Sequence, residues 1–122
     1  MTIGDVKSIL DARVLIGDNR MEEHVDTACG SDLMSDVLAF VKDKTVLITG
    51  LINPHVVRTS EMLDITCIVF SRGKLPGPDI LEEAEECGIT VMATEMTTYT
   101  ACGELYLHGL PGTKKRSGLE GA

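Results

Sequence analysis

The chain has no tryptophan, two tyrosines and two phenylalanines among 122 residues. An apolar core must therefore be assembled from Ile, Leu, Val, Met and Ala, which supply most of the 43% apolar fraction. No apolar run approaches the roughly 20 residues of a membrane span. The N-terminus, with Asp5 and an early amphipathic pattern, lacks the basic-then-apolar layout of a signal peptide. These absences predict a protein of the cytoplasm, without membrane partners. Basic residues are scarce as well. Residues 1–110 carry 8 Lys and Arg against 18 Asp and Glu, a net charge of −10, offset slightly by Lys114, Lys115 and Arg116. So acidic a body repels nucleic-acid phosphates and anionic lipid, which excludes nucleic acid as a partner.

Closely spaced cysteine pairs are also missing. Cys29, Cys67, Cys87 and Cys102 match no zinc or iron–sulfur spacing. Three of them precede a glycine, which suits small buried hydrophobes near element ends. A metal or cluster site is the sharper alternative, and a colourless, metal-free protein without cofactor is the expectation. No phosphate-binding loop is present. Such a loop needs Gly, four residues, then Gly-Lys-Ser/Thr, so that backbone amides and a lysine cradle phosphates. Neither Arg72-Gly73-Lys74-Leu75 nor Gly112-Thr113-Lys114-Lys115 fits, and kinase chemistry is not expected of this chain.

What is there is a regular alternation of elements. Thr2 can cap a first helix carrying Ile3, Val6, Ile9 and Leu10 on one face. Arg13–Ile16 reads as a short strand and Val25–Ala28 as a second. Gly30 permits a tight turn, and Ser31 and Asp32 can cap a helix over 31–40 with Leu33, Met34, Val37 and Leu38 inward. From Thr45 three strand-helix units follow. Their strands are Thr45–Thr49, Ile65–Phe70 and Ile89–Ala93, nearly all apolar, as befits strands covered on both faces. Their helices start at Asn53-Pro54, at Asp79 after Pro76-Gly77-Pro78, and at Thr94. Gly88 closes the middle helix. The fold class is α/β, a mostly parallel sheet with helices on both faces. A single domain over 1–107 and a flexible basic tail over 108–122 are expected.

With those elements placed, the chain resembles the DRTGG-domain family, related to the N-terminal domain of HPr kinase/phosphorylase and sharing its fold with the N-terminal domain of MurF-type ligases. The resemblance runs over residues 3–107. It is carried by Cys29-Gly30-Ser31-Asp32-Leu33-Met34-Ser35-Asp36-Val37, Leu47-Ile48-Thr49-Gly50, Asn53-Pro54-His55-Val56-Val57, Ile68-Val69-Phe70-Ser71-Arg72-Gly73-Lys74-Leu75-Pro76, Ile89–Thr94, and a last helix with Tyr99, Gly103, Leu105 and Tyr106. The Asp-Arg-Thr-Gly-Gly signature itself is absent, with Gly50-Leu51-Ile52-Asn53-Pro54 in that region. The resemblance implies a non-catalytic regulatory or ligand-sensing module and a homodimer. It also implies the alternative of an accessory protein docking to a redox enzyme such as an iron hydrogenase. A small enzyme is the third reading.

In parallel α/β sheets ligands gather beyond the carboxyl ends of strands. The residues expected there are Ser31, Asp32, Asn53, His55, Arg72, Gly73, Lys74 and Thr94. Helix N-termini at Asn53-Pro54 and Thr94-Glu95 would aim N–H groups at an anion. Arg72 and Lys74 could hold a phosphate or carboxylate, so the expected ligand is an anionic small molecule such as a nucleotide or phosphorylated metabolite. Each residue also has an ordinary explanation in capping and loop chemistry. His55 could act as an acid or base, but no nucleophile lies at a fixed offset. Asp32 and Asp36 share a helical face and could bind Mg²⁺, but dipole complementation by Asp32 and solvation of Asp36 account for them better. Glu82, Glu83, Glu85 and Glu86 read as a solvated helix face. Gly103, inside a helix, costs about 1 kcal/mol relative to Ala and suggests close packing at a subunit contact.

Overall fold

A computed structural model describes residues 1–40 and 44–112, with residues 38–40 described by backbone alone. In chain order the elements are α1 (Ile3–Ile9), β1 (Arg13–Ile16), β2 (Thr27–Gly30), α2 (Met34–Phe40), β3 (Thr45–Thr49), α3 (Pro54–Met62), β4 (Cys67–Phe70), α4 (Pro78–Glu86), β5 (Thr90–Ala93) and α5 (Thr98–Leu107). The strands form one five-stranded sheet in the order β1-β5-β4-β3-β2. Strands β2 to β5 are parallel, and β1 joins β5 antiparallel with Arg13 opposite Ala93.

The order β2-β3-β4-β5 always steps in one direction. Right-handed crossovers in one direction put their helices on one face. Val37 of α2, Val56 and Val57 of α3, and Ile80 and Ala84 of α4 accordingly share a core with Leu47, Ile68, Phe70 and Val91 of the sheet. The opposite face, with Val46, Ile48, Cys67, Val69 and Met92, is covered by Ile3, Val6 and Leu10 of the first helix and Ala101 and Leu105 of the last. Every residue of β3, β4 and β5 is buried.

Local sequence explains most boundaries. Thr2 and Asp5 form a reciprocal capping box, Thr2 Oγ1 accepting from Asp5 N at 3.1 Å and Asp5 Oδ2 from Thr2 N at 2.9 Å. Asn53 caps α3, its Oδ1 accepting from His55 N at 2.9 Å with Pro54 at the first helical position. Gly88 ends α4 in the left-handed conformation, φ +72°.

Three boundaries and one buried position differ from the sequence reading. Helix α2 starts at Met34, three residues late, because Asp32 spends its carboxylate on the end of β3 rather than on a helix. Leu33, expected on the apolar face, is 58% exposed, whereas Val37 is buried. Helix α5 starts at Thr98 with Thr97 as its cap, Thr97 Oγ1 accepting from Thr100 N; Thr94 is not the cap. Gly30 is the last residue of β2 rather than a turn. What demands glycine there is a neighbour across the layer, because a Cβ at Gly30 would run into Cys102 Sγ.

The chain after α5 also folds back. Leu110 is buried, Ala28 N donates to Pro111 O at 2.9 Å, and Gly112 bridges to Ala28 along the outer edge of β2. Residues 108–112 therefore pack on the domain, and Lys114, Lys115 and Arg116 of the expected tail lie outside the described residues.

Two stability predictions follow from this packing. Ile68 pairs with Leu47 and Val91 on the helix-rich face and is wholly buried. Ile68→Asp should abolish the cooperative melt by circular dichroism, since an unpaired buried charge costs several kcal/mol. Gly30→Ala should cost about 1–3 kcal/mol in urea denaturation through overpacking. Adding Cys102→Ala should recover most of that loss; equal stability of wild type and Gly30→Ala would contradict the contact.

Candidate functional site

The helices decide where a ligand can enter. The chain leaves β4 towards α4 on one face and leaves β5 towards α5 on the other. Adjacent strands whose connections part to opposite faces open a crevice outside their carboxyl ends. In this sheet that point lies between β4 and β5, where Ser71–Lys74 meet Thr94–Thr97.

Two backbone hydrogen bonds stitch these loops together. Arg72 N donates to Met96 O and Gly73 N to Thr94 O, each at 2.8 Å. Both bonds require consecutive left-handed residues, Arg72 at φ +62° and Gly73 at φ +68°. Glycine adopts this freely; arginine does so at a cost of order 1–2 kcal/mol. The turn aims the Arg72 guanidinium across the end of β3. Its Nη2 lies 3.5 Å from Gly50 O, and a Cβ on Gly50 would sit 2.7 Å from it. Gly50 is therefore the seat of Arg72. The Gly50 amide in turn donates to Asp32 Oδ1 at 2.7 Å, and Thr49 Oγ1 donates to the same oxygen at 3.0 Å.

The expected site residues thus fall into three groups. Asp32 and Arg72 are brought together around Gly50, while Gly73 turns to Thr94 and Glu95 and Lys74 is exposed, its backbone amide donating to Ser71 O. Ser31 closes a local turn, its Oγ accepting from Leu33 N at 3.1 Å, and Asn53 is occupied as the α3 cap with His55 exposed behind it. Thr94 departs from expectation only as a helix cap. It is 2% exposed, donates to Leu10 O at 2.7 Å and accepts from Met96 N. It ties β5 to the end of α1 and also lines the cleft beside Gly73. With α5 beginning at Thr98, the second helix N-terminus expected at Thr94-Glu95 is displaced as well.

The structure adds residues the sequence reading missed. A cleft of about 270 Å³ joins Asp11, Arg13, Leu75 and Ala93 to Gly73, Thr94 and Glu95. Arg13 arrives there because β1 pairs antiparallel with β5, putting its first residue at the carboxyl end of the parallel strands. Glu95 lies against Gly73, where a Cβ would come within 2.6 Å of its Oε2. Leu75 is 55% exposed. Among the described residues neither Arg13 nor Lys74 makes a salt bridge; Arg58 pairs with Glu83, and the His108 ring lies 3.9 Å from the Glu104 carboxylate.

A DRTGG domain model matches residues 5–106. The chain belongs to the DRTGG domain family. A solved structure with the same fold is that of the CBS and DRTGG domains of the regulatory region of Clostridium perfringens pyrophosphatase, complexed with its activator diadenosine tetraphosphate. The TM-score is 0.68 at 19% identity. The match covers 90% of this chain and 47% of that one, so this DRTGG domain spans about half the length of its structural neighbour. No curated protein matches. No helix among the described residues is long and apolar enough to cross a membrane.

The cysteines of this DRTGG domain do not converge. Cys29 packs with the α2–α4 core and Cys102 with the α1/α5 core, so the sheet separates them. Among the described residues no three His, Cys, Asp or Glu side chains are grouped to hold a metal. Burial pushes the Cys67 thiol up to about 12, and a 3.0 Å hydrogen bond to the Glu61 carboxylate is the main cause that pushes Cys87 up to about 11. Burial raises Cys29 and Cys102 too.

These shifts carry a sign. A thiol whose folded pKa lies above its unfolded value of 9.0 stabilises the fold fully below pH 9. That contribution is lost as pH rises from 9 through about 12 for Cys67. Stability measured by denaturant titration should therefore fall along this alkaline limb. Cys67→Ala should flatten its slope, whatever the variant's stability at pH 7; an unchanged slope would count against the buried thiol as its source.

Proposed function

We propose that this chain is a regulatory, ligand-sensing module that binds a phosphorylated small molecule, nucleotides among the candidates, outside the carboxyl ends of β4 and β5. The observation that carries the reading is the position of three side-chain cations. Arg13 lines the cleft with Gly73, and Arg72 and Lys74 flank that glycine, the Arg72 guanidinium turned to Gly50 O at the end of β3, on a body of net charge −10. Elsewhere such a body repels anions; here a forked guanidinium, fixed over Gly50, supplies paired donors and Lys74 a mobile point charge.

The charges in the cleft also orient the ligand. Glu95 and Asp11 on the β1 side disfavour a phosphate there, which puts the phosphate towards Arg72 and Lys74. The carboxylates and exposed Leu75 suit a part of the ligand with hydrogen-bond donors and an apolar face. A nucleotide has both halves. The pyrophosphatase neighbour, a regulatory region in complex with a nucleotide activator, supports the same class of function.

Binding, not bond-making, is the task in this reading. Asp32 is committed to the Gly50 amide and Thr49 hydroxyl, and His55 is exposed on the first turn of α3. No observation of the fold favours docking to a redox enzyme.

The test is a thermal-shift screen with nucleotides, sugar phosphates and inorganic phosphate at low salt. A stabilising ligand is expected, and Arg72→Ala should abolish its shift while leaving the apo stability within about 0.5 kcal/mol, as for other exposed substitutions. Retention of the shift in Arg72→Ala, or ligand-induced NMR changes confined to the Glu82–Glu86 face, would refute the site.

A further inference from the structure

Arg72 is not the only arginine of this fold seated over a glycine. At the other end of the sheet, where β1 ends and β5 begins, Arg20 lies against Gly17 in the same way. A Cβ on Gly17 would come within 2.6 Å of Arg20 Nη1 and 2.7 Å of Thr90 Oγ1. Gly17 also has φ +88°, in the left-handed region that glycine adopts freely. The position demands glycine twice, once for its backbone and once for the guanidinium beside it.

This arginine is held but not satisfied. Its backbone is fixed in a turn of 3-10 helix, Asp18–Arg20, with Arg20 N donating to Gly17 O and Glu23 N to Arg20 O, each at 3.1 Å. Its Nη1 is buried and has no hydrogen-bond partner among the described residues. Buried polar atoms are nearly always paired, and a charged donor left without an acceptor is the costliest exception.

Arg20 lines a cleft of about 330 Å³ with Asp18, Glu85 and the half-buried Leu15 and Ile16 of β1. It is the one cation among the described residues of that lining. Neither Arg20, Asp18 nor Glu85 makes an ion pair among the described residues. Opposite charges, brought from the end of β1 and from α4, therefore border one small cavity without neutralising one another. The cleft shares no residue with the one beside Gly73.

That charge pattern selects a ligand. A phosphate or other simple anion would meet Arg20 but would be repelled by two carboxylates. A simple cation would meet the carboxylates and leave the guanidinium without an acceptor. A zwitterion serves both. We infer that this cleft binds a free α-amino acid with an apolar side chain. Its carboxylate meets Arg20, its ammonium lies between Asp18 and Glu85, and its side chain rests on Leu15 and Ile16. A guanidinium fork matches a carboxylate in geometry as well as in charge. The volume is at the small end of the roughly 300–1,000 Å³ of small-molecule sites, as a metabolite of amino-acid size requires.

NMR titration of the isotope-labelled full chain with L-leucine tests the inference. Saturable shifts are expected at the amides of Gly17, Asp18, Arg20 and Glu85, with a dissociation constant of about 1 mM or tighter. Isocaproate, which lacks the ammonium, and isoamylamine, which lacks the carboxylate, should each bind about tenfold more weakly. Arg20→Met keeps an apolar stem over Gly17 and should abolish the shifts. Glu85→Gln changes an exposed side chain and so tests the site even if Arg20→Met fails to fold. It should weaken L-leucine severalfold without weakening isocaproate, a pattern that a merely structural role would not produce. Absence of saturable shifts, shifts confined to the Arg72 end of the sheet, equal affinity for either truncated analogue, or indifference to Glu85→Gln would overturn the assignment. L-leucine carries no phosphate, so failure here leaves the anion site at Arg72 to its own test.

Discussion

Everything in this domain depends on the direction in which its parallel sheet is wound. Three all-buried strands, β3 to β5, cannot be left open to water on either side. Because β2 to β5 step one way, right-handedness gives all three crossover helices to a single face. The other face must then be covered by helices outside the repeat. α1 and α5 do this, so the first and last elements of the chain are core elements and not appendages.

The candidate site is a by-product of that arrangement. Since α5 has to cross to the face opposite α4, the connections after β4 and β5 diverge, and a crevice opens at their ends. The loops there are held by backbone hydrogen bonds from Arg72 N and Gly73 N together with the Ser71, Thr94 and Thr98 hydroxyls, while the Arg72 guanidinium reaches across to Gly50 O. Backbone strain at Arg72 is the cost of this geometry. Asp32 and Gly50 complete it from the β3 side, one as a brace for the strand end and the other as open space for the guanidinium.

The same arrangement explains why α5 is two-faced. One side replaces the missing crossover helix over the sheet, and the other is the outer surface of the molecule. Tyrosine suits that outer position, being able to contribute apolar area to a contact while keeping its hydroxyl wet. Ser71, beside Arg72, is hydrogen-bonded through Oγ to Thr98 Oγ1 at 2.6 Å, on the first turn of α5.

Much of this was legible in the sequence, for local reasons. Short apolar runs rich in β-branched residues mark both-face burial, and Thr2, Asn53-Pro54 and Gly88 mark helix ends through chemistry confined to neighbouring residues. Family membership was legible from the order of those pieces, and Arg72-Gly73-Lys74 as a basic turn from its rarity in an acidic chain. The misread positions all have partners distant in sequence. Asp32 looks like a helix cap until Gly50 claims it, Thr94 until Leu10 O does, and Gly30 looks like a turn until Cys102 fills its space. Arg13 was invisible as a site residue because only the antiparallel pairing of β1 with β5 carries it to the right end of the sheet. The sequence by itself determined which segments are strands and helices and that the body is acidic, since propensity, periodicity and charge are local or additive. Only the tertiary structure decided which polar groups are already spent on one another and which stand free at the edge, since hydrogen bonds between distant residues depend on strand order and handedness.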